Sequence, residues 1–106
     1  MNKYRNRPTV VEGLRFDSKA EARRWMELKL LEKAGEIHGL TRQVSWPLIV
    51  EGAVITHYRS DFEYFDQDGK RIVEDLKSPA SITPVYRLKR KLMKAVWGVT
   101  IREVSA

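Results

Sequence analysis

The chain has 106 residues, a net charge of +6 and no cysteine. This length predicts one domain with a single modest core, and the lack of cysteine excludes disulfides, zinc–thiolate sites and cysteine nucleophiles. No apolar run approaches the roughly 18 residues of a membrane-spanning helix, and the N-terminus has no apolar stretch of the signal-peptide type. We therefore expect a soluble, cytoplasmic protein that does not bind a membrane.

The N-terminal third predicts a basic arm followed by a helix. Residues 1–16 are interrupted by Pro8 and Gly13, which indicates an arm or a short extended piece. Ser18 and Glu21 have the spacing of a capping box, which begins a helix. A helix is therefore predicted over residues 18–34, ended by a glycine that suits the position after its last turn. Its apolar residues recur at helical spacing at Ala22, Trp25, Leu28 and Leu31.

The remainder predicts three strands, a second helix and a last strand, joined to the first helix by a connector that contains Ile37 and Leu40. The strands follow from alternating apolar residues bounded by turn residues, and Pro47 indicates an edge strand or a bulge. A helical crossover should make the last strand parallel to a neighbour. The predicted elements are strands at 43–50, 53–65 and 71–76, a helix at 82–97 and a strand at 99–104. We expect an α/β fold, with a small mixed sheet flanked by helices.

Two acids and a lysine fall on neighbouring predicted strands. Asp75 and Lys77 are two residues apart, so their side chains share a face, and the preceding hairpin places Asp61 beside them. Paired carboxylates repel each other unless a cation neutralises them, and Mg²⁺ prefers oxygen ligands. We predict a metal site formed by Asp61, Asp75 and the carbonyl of Leu76, with Glu21 as a further ligand if the first helix abuts the sheet. A lysine beside that metal would orient or deprotonate an attacking water, which suits phosphodiester hydrolysis.

Each of these residues also has a simpler interpretation. Glu21 fits a capping box, in which its side chain would bind the backbone N–H of Ser18. Asp61 has the place of an ordinary acid at a strand end, and the tripeptide Asp75-Leu76-Lys77 is common in proteins. Two other acids of these strands are expected on the surface or in salt bridges, namely Glu63 and Glu74.

The helix at 82–97 carries most of the surplus positive charge. Residues 1–76 have 13 basic and 13 acidic side chains, whereas residues 77–102 have seven basic side chains and no acidic one. Such asymmetry suggests a polyanionic partner, although a solvated helix face gives the same pattern. The predicted buried stripe of this helix comprises Val85, Leu88, Leu92, Ala95 and Val96. The side chains predicted to contact phosphates without reading bases are Arg87, Lys89, Arg90, Lys91 and Lys94.

Five stretches of the chain, taken in order, carry a family resemblance. They are residues 16–25, 42–44, 58–62, 73–77 and 86–91. Together they resemble the PD-(D/E)xK nuclease superfamily and, more narrowly, a family of small phage-encoded proteins assigned to it. The resemblance implies a restriction-endonuclease-like αβββαβ core over residues 17–104. It also implies that Asp61 and Asp75 are the two acids of the motif, Lys77 its lysine and Glu21 an additional acid, with Ser60 in place of the usual proline.

The resemblance implies a metal-dependent DNA endonuclease that recognises the structure of its substrate rather than base sequence. Mg²⁺ or Mn²⁺ would lower the pKa of a bound water and neutralise charge on the phosphate, while the lysine would position the nucleophile. Holliday-junction resolution is a special case. Further implications are a homodimer, because paired cuts need two sites, and a phage or prophage origin. The alternatives are a non-catalytic nucleic-acid-binding accessory protein on the same fold, and a module whose basic helix binds an acidic protein.

Overall fold

A computed structural model of the chain describes residues 8–106, so the first seven residues of the predicted arm lie outside it. The described residues form an α/β fold of eight strands, two α-helices and a short 3₁₀ turn at Pro79–Ser81. The helices are α1 (Lys19–Lys33) and α2 (Pro84–Trp97). The strands are β1 (Thr9–Val11), β2 (Leu14–Phe16), β3 (His38–Arg42), β4 (Ser45–Val50), β5 (Ala53–Arg59), β6 (Phe62–Phe65), β7 (Arg71–Lys77) and β8 (Arg102–Ser105).

The first helix follows its prediction closely. Ser18 is its N-cap, and the Ser18 hydroxyl accepts a hydrogen bond from the Glu21 amide at 3.2 Å. Gly35 follows the helix with φ of 79°, a conformation that glycine adopts without strain. The buried residues of α1 are Ala22, Trp25 and Leu28, as the periodicity indicated, but Leu31, which belongs to the same predicted stripe, is 38% exposed. In residues 8–16 the chain is an extended piece rather than a free arm, because β1 and β2 pair as an antiparallel hairpin there.

The main sheet has the strand order β3-β6-β7-β8. The pairs β3–β6 and β6–β7 are antiparallel, and β7–β8 is parallel, as expected after a helical crossover. The predicted order of helix, three strands, helix and strand is therefore confirmed for this sheet. One core packs α1 against one face around Trp25 and Phe62, and a second core packs α2 against the other face around Tyr86, Met93 and Val73.

The strands between residues 38 and 65 are arranged differently from the prediction. The first strand of the main sheet is β3, in the segment expected to be a connector. The predicted strand at 43–50 instead forms β4, which pairs with β5 in a separate two-stranded hairpin. The single strand expected at 53–65 is broken between Arg59 and Phe62. Alternation of apolar residues continues through both segments, and it cannot reveal a bend that leaves the alternation intact.

A shared kink separates this hairpin from the main sheet. Gln43 has φ of 54°, unusual for a residue other than glycine. The two segments of the chain stay hydrogen-bonded to each other across the kink. The Gln43 amide donates to the Asp61 carbonyl at 3.1 Å, and the Ser60 amide donates to the Val44 carbonyl at 3.0 Å. The kink directs the hairpin onto α2, where the Trp97 indole donates to the Pro47 carbonyl at 2.8 Å.

Replacing Gln43 with glycine tests whether this kink is strained. We expect Gln43→Gly to raise the free energy of unfolding by up to about 1 kcal/mol, because relief of the positive φ outweighs the extra chain entropy of glycine. Thr41→Gly, in β3, is the matched control and should lower it by about 0.5–1 kcal/mol. Denaturant unfolding measures both variants, and equal destabilisation by the two glycines would show that position 43 is unstrained.

Candidate metal and phosphodiester site

Asp61, Asp75 and Lys77 come together at the C-terminal end of β7. Asp61 lies in the kink between β5 and β6, and its Oδ2 accepts a hydrogen bond from the Leu76 amide at 2.7 Å. The Asp61 amide in turn donates to the Glu74 carbonyl at 3.1 Å. Lys77 Nζ lies 3.3 Å from Asp75 Oδ1. The structure thus brings the predicted acid pair and the lysine into one cluster.

The carboxyl group of Asp61 is held beside that of Asp75. Burial of Asp61 and its contact with the neighbouring carboxyl of Asp75 raise the pKa of Asp61 to about 8, although the hydrogen bond from Leu76 opposes this. A carboxyl in this position holds a proton near neutral pH unless a cation replaces it. The donor set consists of carboxylate oxygens, which are the ligands that Mg²⁺ prefers. The pair therefore fits a divalent cation chemically.

Tyr58 binds the carboxylate oxygen of Asp75 that Lys77 does not contact. The Tyr58 hydroxyl donates to Asp75 Oδ2 at 2.6 Å, and both side chains are buried. Burial and the adjacent Asp75 charge raise the pKa of Tyr58 far above its usual range, so it remains a donor. Sequence reasoning missed this residue because strict alternation places Tyr58 and Asp61 on opposite faces of a straight strand. The kink between them turns both side chains towards Asp75.

Lys77 is held between a carboxylate and an aromatic ring. Its ammonium lies 3.9 Å from the centroid of the Tyr86 ring, in addition to its contact with Asp75. The Tyr86 hydroxyl donates to Glu103 Oε2 at 2.7 Å, and Arg90 Nη1 lies 2.5 Å from the same oxygen. Burial and the bond to Glu103 raise the pKa of Tyr86 far above its usual range, so its ring is neutral.

Glu21 lies close to the acid pair without joining it in a ligand cluster. Burial and Asp17 raise the pKa of Glu21, and Asp75 adds to this effect. Within residues 8–106, no three histidine or acidic side chains are arranged to hold a metal ion. The metal-ligand roles of Asp61, Asp75, Glu21 and the Leu76 carbonyl therefore all remain predictions.

Two further acids stabilise the backbone around the site. Glu63 and Glu74 were expected on the surface or in salt bridges; they form salt bridges, but both are buried. Glu74 accepts two hydrogen bonds from Arg24, at 2.7 and 2.9 Å. Glu63 accepts hydrogen bonds from the Ser60 hydroxyl at 2.7 Å and the Trp46 indole at 2.6 Å. Ser60 thus anchors the kink beside Asp61.

Comparison with known proteins assigns the chain to a family. The model of a family described as proteins of unknown function, DUF1064, matches residues 1–104. The chain belongs to the DUF1064 family. No curated protein and no solved structure matches the chain. Over the described part of this DUF1064 protein, no helix is long and apolar enough to cross a membrane.

The basic helix of this DUF1064 protein is turned relative to its predicted orientation. Tyr86 and Met93 are its buried residues, whereas Val85 and Leu88, predicted to be buried, are 63% and 57% exposed. The kinked hairpin causes this difference, because β4 and β5 pack on α2 and select its buried side. Of the five predicted phosphate contacts, Arg90 binds Glu103 and Lys89 is half-buried. The exposed ones are Arg87, Lys91 and Lys94.

Proposed function

We propose that this protein is a metal-dependent endodeoxyribonuclease that hydrolyses phosphodiester bonds. The observation that carries the proposal is the convergence of Asp61 and Asp75 at the end of β7, with the ammonium of Lys77 3.3 Å from Asp75. Such an acid pair favours a cation, and the adjacent amine suits the negative charge that develops on a phosphate during hydrolysis. The sequence resemblance to PD-(D/E)xK nucleases supports the same residues independently of the geometry.

The residues of the cluster have distinct roles in this proposal. Asp61 and Asp75 would hold Mg²⁺ or Mn²⁺, with Glu21 and the Leu76 carbonyl as further oxygen donors. When bound, the cation would neutralise charge on the phosphate and lower the pKa of a water. Lys77 donates hydrogen bonds to the attacking water or to a phosphate oxygen, which orients the first and stabilises charge on the second. Tyr58 keeps one oxygen of Asp75 fixed.

Substrate, assembly and origin belong to the same proposal. The substrate is duplex or branched DNA, recognised through its backbone, with four-way junctions as the special case. A homodimer would place two sites on the two strands that paired cuts require. A phage or prophage protein that acts in the cytoplasm of a bacterial host has both kinds of DNA available.

A cleavage assay with matched variants tests the activity. Supercoiled plasmid and synthetic four-way junctions are incubated with Mg²⁺, Mn²⁺ or EDTA. We expect metal-dependent cutting that disappears in Asp75→Asn, which keeps an acceptor for Tyr58 but removes the charge. Asp68→Asn, on the exposed turn before β7, is the control and should cut normally. If the wild-type protein cuts neither substrate with either metal, or Asp75→Asn cuts at the wild-type rate, the proposal fails.

One observation favours a second function, that of a non-catalytic nucleic-acid-binding accessory protein. The described residues contain a coupled pair of acids but no cluster of three ligating side chains. In that case DNA would be retarded on a gel without being cut. If the protein has no DNA affinity at low salt, both candidates are excluded, and a module that binds an acidic protein is left.

The exposed basic residues of α2 should set the salt dependence of DNA binding. We expect Arg87→Ala with Lys91→Ala to weaken binding and to reduce the slope of log K against log salt by about 2, since each phosphate contact contributes about 0.9. Arg23→Ala with Lys33→Ala, both exposed on α1, removes the same charge elsewhere. Equal slopes for the two double variants would place the DNA on another surface.

A further inference from the structure

We propose that Tyr86 is a positioning residue that holds the ammonium of Lys77 at the site. Lys77 Nζ lies 3.9 Å from the Tyr86 ring centroid, a distance at which the ring quadrupole attracts a cation. The side chain of Lys77 is only 16% exposed, so little water competes for its charge. The contact therefore restricts the ammonium to a small volume between the ring and Asp75.

The ring is itself fixed from two elements. Tyr86 lies in the first turns of α2, where its amide donates to the N-cap hydroxyl of Thr83 at 3.1 Å. Its hydroxyl donates to Glu103 in β8, which is also bound by Arg90. In the parallel register, Glu103 lies beside Asp75. Tyr86 thus connects α2 to the strand next to the catalytic acids, and its ring cannot turn away without breaking the bond to Glu103.

The ring has a role that Asp75 cannot fill alone. In the proposed function, Asp75 is a ligand of the cation, so the cation competes with Lys77 for the oxygens of Asp75. Lysine also has a long, flexible side chain that reaches several positions when its carboxylate partner is occupied. A neutral aromatic ring does not bind the metal, and its attraction for the ammonium persists when Asp75 is engaged. Tyr86 therefore keeps Lys77 near the reacting phosphate in the loaded site.

Tyr64 is a second buried tyrosine, in the other core of the protein, and it provides a control for Tyr86. Its hydroxyl donates to Glu74, much as that of Tyr86 donates to Glu103, and it is buried to a similar degree. Its ring lies in the core on the α1 side of the sheet. Tyr64→Leu consequently removes a comparable ring from the core while leaving Lys77 untouched, which makes it a matched control.

Proton NMR of the metal-free protein tests the contact without any assay of activity. In the wild type we expect the ε-methylene protons of Lys77 to be shifted upfield by the ring current of Tyr86. The shift should persist in Tyr64→Leu, be reduced in Tyr86→Phe, which keeps the ring but loses its bond to Glu103, and disappear in Tyr86→Leu. Glu103→Leu, a surface change that leaves the core intact, should reduce it by freeing the ring. An unshifted Lys77 in the wild type, or a shift that survives Tyr86→Leu, would overturn the proposal.

The catalytic consequence rests on the proposed function and is measured separately. With saturating DNA and metal, the single-turnover cleavage rate of Tyr86→Leu should fall on the order of 100-fold, as for a misplaced catalytic group. Tyr86→Phe should stay within a few-fold of wild type, and Tyr64→Leu should retain its rate while folded. If the wild-type protein cuts DNA and Tyr86→Leu cuts it at the same rate, the inference about Tyr86 fails and the proposed function stands. If the wild-type protein cuts no DNA, the function fails, and NMR still decides the placement of Lys77.

Discussion

Lys77→Met is expected to lower the rate of DNA cleavage by about 10²–10⁴-fold, the usual contribution of a group that transfers or orients a proton. Methionine has a similar length and retains contact with the Tyr86 ring, but it cannot donate a hydrogen bond to water or phosphate. DNA affinity should change little, because the exposed basic residues of α2, which are proposed to bind the DNA, are unchanged in this variant. Single-turnover cleavage and gel retardation, performed on the same preparation, measure the two effects.

Lys70→Met is the matched control for this variant. Lys70 is exposed and lies next to the first residue of β7, at the opposite end of the strand from Lys77. Lys70→Met removes the same charge as Lys77→Met, and the variant should cleave at the wild-type rate. Normal cleavage by Lys77→Met would remove the lysine from the mechanism. Loss of both cleavage and DNA binding, with a lowered melting temperature, would assign Lys77 a structural role.

The second large effect concerns the stability of the metal-free protein as a function of pH. The folded state raises the pKa of Asp61 from a usual value of 3.8 to about 8, so it binds this proton more tightly than the unfolded chain does. The resulting stabilisation is complete below pH 4 and is lost as the pH rises to about 8. The free energy of unfolding should therefore fall across this window, on the order of 1 kcal/mol for each pH unit. Glu21 acts in the same direction.

A divalent cation should reverse this loss. A cation that binds the ionised pair stabilises the folded state by mass action, so Mg²⁺ or Mn²⁺ should raise the melting temperature strongly at pH 8 and little at pH 5. Thermal unfolding at a series of pH values, with metal or with EDTA, measures both dependences. The pH series in EDTA is independent of any enzymatic activity.

Asp61→Asn separates this explanation from general effects of pH. The amide oxygen of asparagine still accepts the hydrogen bond from Leu76, but the group no longer titrates. Without metal, we expect the variant to be more stable than the wild type at pH 8 and to respond weakly to cations. Asp68→Asn should retain both dependences. If stability is flat between pH 5 and 8 in the wild type, or if Asp61→Asn responds to metal as the wild type does, Asp61 does not belong to a cation site.

The convergence of Asp61, Asp75 and Lys77 could be predicted because it depends on short spacings in the sequence. Asp75 and Lys77 are two residues apart on one strand, and the tight turn at residues 66–69 fixes β6 against β7. This turn brings Asp61 beside Asp75 and Lys77, even though the strand predicted at 53–65 is broken at Asp61 in the structure. The first helix was equally predictable, because its capping serine, its apolar period and its terminal glycine are all local signals.

Tyr58 and Tyr86 could not be found in this way. Tyr58 reaches Asp75 only because the chain bends between residues 59 and 62, and the bend depends on hydrogen bonds to a segment more than 15 residues away. Tyr86 lay outside the predicted buried stripe of α2, because the side of that helix that faces the protein is selected by the kinked hairpin. Both errors have the same origin, which is a long-range contact that leaves the apolar period of each element unchanged.

The sequence by itself determined the α/β class, the order of the main elements and the identity of the two acids and the lysine, since these follow from local periodicity and fixed short spacings. Only the tertiary structure decided which strand completes the main sheet, which face of α2 is buried and which tyrosines fix the acidic and basic groups. Those features depend on contacts between residues far apart in the chain, and their geometry is set when the hairpin, helix and sheet pack together.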